Sequence, residues 1–122
     1  MVRSDLPFRL SESYRVTMED NQEKIRRLLA EIDAAEQNGV AIGALCAEAI
    51  ACLETARQEF LRRARLQGYA ANDLRVGEIE VQQLMAMRQL ARRGGLPDPY
   101  TAAIREVRVR ILGEELVKLN FD

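Results

Sequence analysis

The sequence predicts an all-α fold: a four-helix antiparallel bundle-like domain preceded by an extended N-terminal arm. Three observations carry this expectation. Apolar residues recur every three or four positions in four segments of similar length, and capping residues and glycines separate those segments. The apolar share is mostly Ala, Leu, Val and Ile, with three Phe, three Tyr and no Trp. Small and medium aliphatic side chains suit close helix packing better than sheet packing. A chain of 122 residues with short connections fits one domain.

Residues 1–16 read as the arm. Phe8, Leu10, Tyr14 and Val16 alternate with polar residues, a strand-like pattern interrupted at Glu12. The first helix is expected over 17–38. Thr17 can cap it, with Glu19 and Asp20 in its first turn. Met18, Ile25 and Ile32 repeat every seven residues with Leu28 and Ala35 between them, forming a seam that Leu29 widens. Asn38-Gly39 is a stop. The second helix is expected over 41–67, its first half apolar nearly all round from Ala41 to Leu53 and its second half amphipathic, with Gly68 closing it. In that second half Ala56, Phe60 and Ala64 point inward.

Asn72 and Asp73 are natural caps for a third helix over 73–93. Val76, Ile79, Val81, Leu84, Met85, Met87, Leu90 and Ala91 cover a wide arc, leaving Arg75, Glu78, Gln82, Gln89 and Arg93 as its polar face. Gly94-Gly95 ends it. Asp98-Pro99 opens a fourth helix over 98–120. Its apolar stripe of Tyr100, Ile104, Val107 and Ile111 gives way to a rotated one of Leu112, Leu116 and Leu119, so a bend or change of partner is expected at Gly113. Segments 76–81 and 106–111 also alternate like strands, with Glu78 and Glu80 complementary to Arg108 and Arg110. Helix is favoured because the caps and the flanking Ala, Leu, Gln and Met agree with it.

Composition narrows function mainly by exclusion. Net charge is −1, so no global field draws the chain to nucleic acid or anionic membrane. The absence of His removes the commonest general base and metal ligand. Cys46 and Cys52 lie six residues apart, on different helix faces, and read as buried free thiols in a reducing compartment. The glycines fit no phosphate-binding loop, and no cysteine has metal-ligand spacing. Neither cofactor nor metal is expected, and the chain is not expected to be an enzyme. The first eight residues lack the apolar core of a signal peptide, and the longest apolar run, Val40 to Leu53, is 14 residues and contains Glu48. A membrane span needs about 20. The expected location is the cytoplasm.

Glu48 stands out because it lies in that apolar run, where an unpaired charge is costly. The simpler expectation is a carboxylate at the bundle edge paired to Arg26 or Arg27; the functional alternative is a buried acid. The arm followed by two helices, Phe8 to about Leu53, resembles ribbon–helix–helix repressors in outline, in which a strand from each subunit enters the DNA groove. The first helix is longer than that family's, and Asn38-Gly39-Val40 is not followed by its Ser/Arg pattern, so no DNA contact is carried over.

Two functional expectations follow. The first is a non-catalytic protein–protein interaction module, an adaptor, assembly factor or chaperone-like subunit, expected to be a homodimer or other homo-oligomer or to bind a protein partner. Its contacts would come from Met18, Ile25, Leu28 and Ile32 with Val81, Leu84 and Met85, since two widely apolar helices exceed what a small monomer can cover. The alternative is a small nucleic-acid-binding regulator using Arg clusters at Arg62, Arg63 and Arg65, and at Arg92 and Arg93, with Arg105, Arg108 and Arg110 a third group. Cations at helix C-termini are also stabilised by the macrodipole, without any ligand.

Overall fold

A computed structural model of the chain describes residues 12–122, with side chains described from residue 20 onward. Among the described residues five helices follow one another: α1 (Glu12–Gln37), α2 (Gly43–Leu66), α3 (Leu74–Gly94), α4 (Tyr100–Leu112) and α5 (Glu114–Asn120). The fold is all-α, and segments 76–81 and 106–111 are helical. Of the complementary charges noted between them, Glu80 and Arg110 meet, as a contact between two helices rather than two strands.

The N-terminal boundary differs from expectation. The helix begins at Glu12, so residues 12–16 are not arm and Thr17 lies inside the helix rather than capping it. Tyr14 and Met18 continue backwards the heptad spacing of Ile25, Leu28 and Ile32, and this longer period outweighs a four-residue alternation. The ribbon of the repressor-like outline is therefore helical over these residues. Phe8 and Leu10 lie outside the described residues.

Other boundaries follow local chemistry. Asp73 caps α3, its Oδ1 accepting from the Val76 amide at 3.1 Å. Gly95 closes α3 in the left-handed region at φ 67°, where its amide reaches the Ala91 and Arg92 carbonyls. Asp98 Oδ1 accepts from the Tyr100 amide at 3.0 Å at the start of α4. The expected fourth helix is two: Gly113, at φ 93° and ψ 156°, adopts a conformation closed to side-chain-bearing residues and divides α4 from α5. The bend expected there is thus a full break. Beyond it Val117 is buried, whereas Leu116 and Leu119 are exposed. Arg105 holds the terminal turn back on α4 through Glu114 (3.1 Å) and Asp122 (2.8 Å), and Arg108 stacks over the Phe121 ring at 3.9 Å.

The closest approaches join sequence neighbours: α1 to α2, α2 to α3, α3 to α4 and α4 to α5. Three core clusters result. Leu28 and Ile32 of α1 meet Ile42, Cys46, Ala49 and Cys52, with Leu90 reaching in from α3. Val81, Leu84 and Met87 meet Ile104 and Val107, joined by Ile50 and Leu53 of α2. Phe60, Ala64 and Val76 close the end where α2 turns into α3. Two glycines set the closest spacings. A Cβ on Gly77 would lie 2.5 Å from Ile111 Cγ2, and one on Gly94 would lie 2.8 Å from Cys46 Cβ. These contacts also fix directions: the start of α3 meets the end of α4, and the end of α3 meets the start of α2.

Candidate interaction face

The helix α2 contributes to the core shared with α1 and to the core shared by α3 and α4, and both α3 and α4 keep a side open to solvent. On α3, Val76, Gly77, Glu80, Val81, Leu84, Met87, Leu90 and Ala91 are buried. The remaining arc presents Glu78, Gln82, Met85, Gln89 and Arg92 to solvent. Two open grooves flank this arc and share Gln82 and Met85. One, about 290 Å³, runs past Leu74, Glu78 and Val81 to Arg108, Leu112 and Phe121. The other, about 620 Å³, continues past Ala86, Arg88, Gln89 and Arg92. Leu74, Met85 and Phe121 are 49%, 39% and 48% exposed, so apolar surface lies open where the grooves run.

The seven residues expected to make contacts divide sharply. Met18 lies outside the described side chains. Leu28 and Ile32 are 2% and 0% exposed and Ile25 packs beside them, so the α1 seam faces α2 of the same chain rather than a partner. Val81 and Leu84 are buried against α4, Val81 touching the groove floor. Met85 alone of the described six is exposed. The correction has a simple cause: Cys46, Ala49 and Cys52 form one face of α2, and the aliphatic seam of α1 packs against it. Leu74, Leu112 and Phe121 were not anticipated as surface. The rotated stripe beginning at Leu112 was the available sign that apolar side chains there lack the α3 core as partner.

The two clusters at helix ends do not combine into one surface, although Arg65 of the first and Arg110 of the third group line one groove beside Glu80. Arg62, Arg63 and Arg65 sit where α2 ends, and Arg92 and Arg93 where α3 ends. Antiparallel packing sends these ends apart by nearly the length of α3, about 30 Å for its 21 residues. Carboxylates also occupy several of them. Arg93 binds Asp33 (2.9 Å) and Glu36 (2.6 Å) of α1, which hold its pKa above the usual guanidinium value. Arg92 binds Asp98 (3.2 Å) and Arg62 binds Glu59 (3.3 Å). In the third group, Arg105 and Arg110 are likewise paired.

The buried acid of this fold is Glu80, not Glu48. Glu48 is exposed, on a solvent stripe with Ala44, Ala47, Ala51 and Thr55, and it makes no ion pair among the described residues. Arg26 and Arg27 instead bind Glu23 and Glu31 of their own helix. Glu80 is 3% exposed and fully engaged: Arg57 Nη1 donates to Oε2 at 2.5 Å, and Arg110 Nη2 donates to Oε1 at 2.7 Å. Arg57 also binds Glu54 through two nitrogens at 3.2 and 3.0 Å, and Arg110 Nε donates to the Ala71 carbonyl at 2.9 Å. Burial works to raise the Glu54 carboxyl, but hydrogen bonds from Arg57 and Gln58 and the Arg57 charge outweigh it, and the pKa falls below the ordinary value. This network ties α2, α3, α4 and the loop before α3 together, and both Glu80 oxygens are committed within it.

Among the described residues, no three His, Cys, Asp or Glu side chains are grouped to hold a metal ion, and no helix is long and apolar enough to cross a membrane. Cys46 and Cys52 are free and buried. Burial pushes the Cys46 thiol up, and Glu36 adds to that, against the opposing charge of Arg93. No family model, curated protein or solved structure matches the chain.

Proposed function

We propose that this chain is a non-catalytic protein–protein interaction module, an adaptor, assembly factor or chaperone-like subunit, whose contact surface is the outward face of α3 with the grooves beside it. The observation that carries this is the open apolar surface of Leu74, Met85 and Phe121, which line one groove together with α4 residues. Continuous exposed apolar surface marks binding sites more often than single exposed residues do. Methionine at its centre suits a surface that adapts to a partner. Polar residues along the arc supply the rim such contacts use. Two free, buried thiols accord with the cytoplasm as its location. The nucleic-acid alternative draws less support, because the clusters ending α2 and α3 lie far apart and several of the arginines are paired to carboxylates.

Site-specific photocrosslinking tests this proposal. A photoreactive amino acid at Gln82, on the α3 face, is expected to give a discrete protein adduct in cells. The same group at Thr55, on the solvent stripe of α2, is expected to give none. Equal labelling from both positions, or no adduct from Gln82, would overturn it.

A further inference from the structure

The exposed stripe of α3 is complementary to itself. Glu78, Gln82, Met85, Gln89 and Arg92 recur every three or four residues and so fall on one side of the helix. When two copies of a helix pack antiparallel about a two-fold axis, residue i faces residue j and j faces i. With the axis at Met85, Glu78 stands opposite Arg92 of the partner subunit, and Arg92 opposite Glu78 of the partner subunit. Gln82 then faces Arg88 of the partner subunit, and the two Met85 side chains meet at the centre. Of the five stripe positions, only Met85 as axis sets opposite charges against each other. An axis at Gln82 leaves Glu78 facing Ala86 of the partner subunit; an axis at Glu78 or Arg92 sets like charges together.

The charges are available for this. Glu78 and Arg88 have no ion pair among the described residues, and Arg92, 62% exposed, engages Asp98 through Nε. The grooves on either side leave room for side chains of a second helix, and the two-fold carries the Arg92 end of one copy over the end where Glu78 and Phe121 lie.

We propose that a second copy of this chain occupies the face, as an antiparallel α3–α3 homodimer with its two-fold axis at Met85. This names the partner for the interaction-module reading above and rests on it.

Sedimentation equilibrium of the full chain tests it with Glu78→Arg and Arg92→Glu. The unaltered chain is expected to dimerise. Each variant alone sets like charges together twice and is expected to weaken self-association about tenfold or more. Mixed in equal amounts, the two restore both opposite-charge contacts and are expected to form a heterodimer, which also shows that both are folded. A monomeric unaltered chain would overturn the proposal, while a Gln82 crosslink to a different protein would leave the interaction module standing. A dimer indifferent to both reversals would place the contact elsewhere and overturn it. Rescue of Glu78→Arg by Arg88→Glu instead of Arg92→Glu would overturn the axis at Met85.

Discussion

Replacing Gly77 by alanine sets two opposing effects against each other. In a helix interior, alanine is favoured over glycine by about 1 kcal/mol. At Gly77, however, the added methyl would lie 2.5 Å from Ile111 Cγ2 and 2.9 Å from its Cδ1. Comfortable carbon–carbon contact begins near about 3.5 Å, so Ile111 or the α3–α4 spacing must give by about 1 Å. Ile111 is branched at Cβ and cannot swing Cγ2 away without changing rotamer. Overpacking of this kind costs about 1–3 kcal/mol. Taking about 2 for the clash and returning about 1 for propensity, Gly77→Ala is expected to destabilise the domain by about 1 kcal/mol. Urea unfolding followed by circular dichroism measures the change directly. In an Ile111→Ala background the clash is gone, and Gly77→Ala is expected to stabilise by about 1 kcal/mol. A gain from Gly77→Ala in the unaltered chain would refute the reasoning, because it would mean that α3 and α4 do not approach as closely as Ile111 requires.

Three further outcomes follow. Glu80→Ala removes the carboxylate shared by Arg57 and Arg110 and is expected to cost about 2–3 kcal/mol in denaturant unfolding. That is less than the about 3–5 of a fully enclosed pair, because Arg57 keeps Glu54 and Arg110 is partly solvated. A change of a few tenths would show the network to be incidental. The lowered pKa of Glu54 stabilises the fold above the ordinary carboxylate value of 4.5, and this is lost as pH falls through the folded-state value. Stability is therefore expected to decline below about pH 4.5 less steeply in Glu54→Gln, and identical acid profiles would exclude Glu54 as a contributor. Cys46 and Cys52 are expected to react with a thiol reagent only as the domain opens, since both are buried and burial raises the Cys46 thiol. Immediate labelling of both in the native protein would contradict the α1–α2 packing.

Much of this architecture was legible in the sequence, because period and punctuation act locally. The third helix was bounded by Asp73 and by Gly94-Gly95, and those residues do the capping. Gly113 marked the place where one stripe gave way to another, although only the backbone shows that the helix stops there. Two kinds of information were hidden. An alanine run is apolar in every direction and carries no record of which side faces solvent, so Glu48 looked enclosed when it rides an exposed stripe of Ala44, Ala47 and Ala51. A wide apolar arc likewise does not say who covers it. Leu28, Ile32, Val81 and Leu84 belong to such arcs, and only the fold shows α2 and α4 covering them. In the sequence Glu80 stands out only alongside Glu78, as a charge complementary to Arg108 and Arg110 between two alternating segments. One of those charge pairs, Glu80 with Arg110, forms, but the third member, Arg57, lies 23 residues away along the chain, and no local pattern connects it.

The neighbour-to-neighbour order of the helices also bears on how the chain reaches its fold. Each backbone approach joins elements separated by a loop of only a few residues, so the entropy lost in closing it is small. Chains whose contacts are this local fold at the fast end of the range, in about microseconds to milliseconds. The α1–α2 hairpin can form while α4 and α5 are still being synthesised, covering its own aliphatic seam as it does so. The cross-links with the greatest sequence separation, Arg93 to α1 and Arg57 through Glu80 to Arg110, are expected to form late. These are clasps that lock an assembled stack, and their loss should speed unfolding far more than it slows folding.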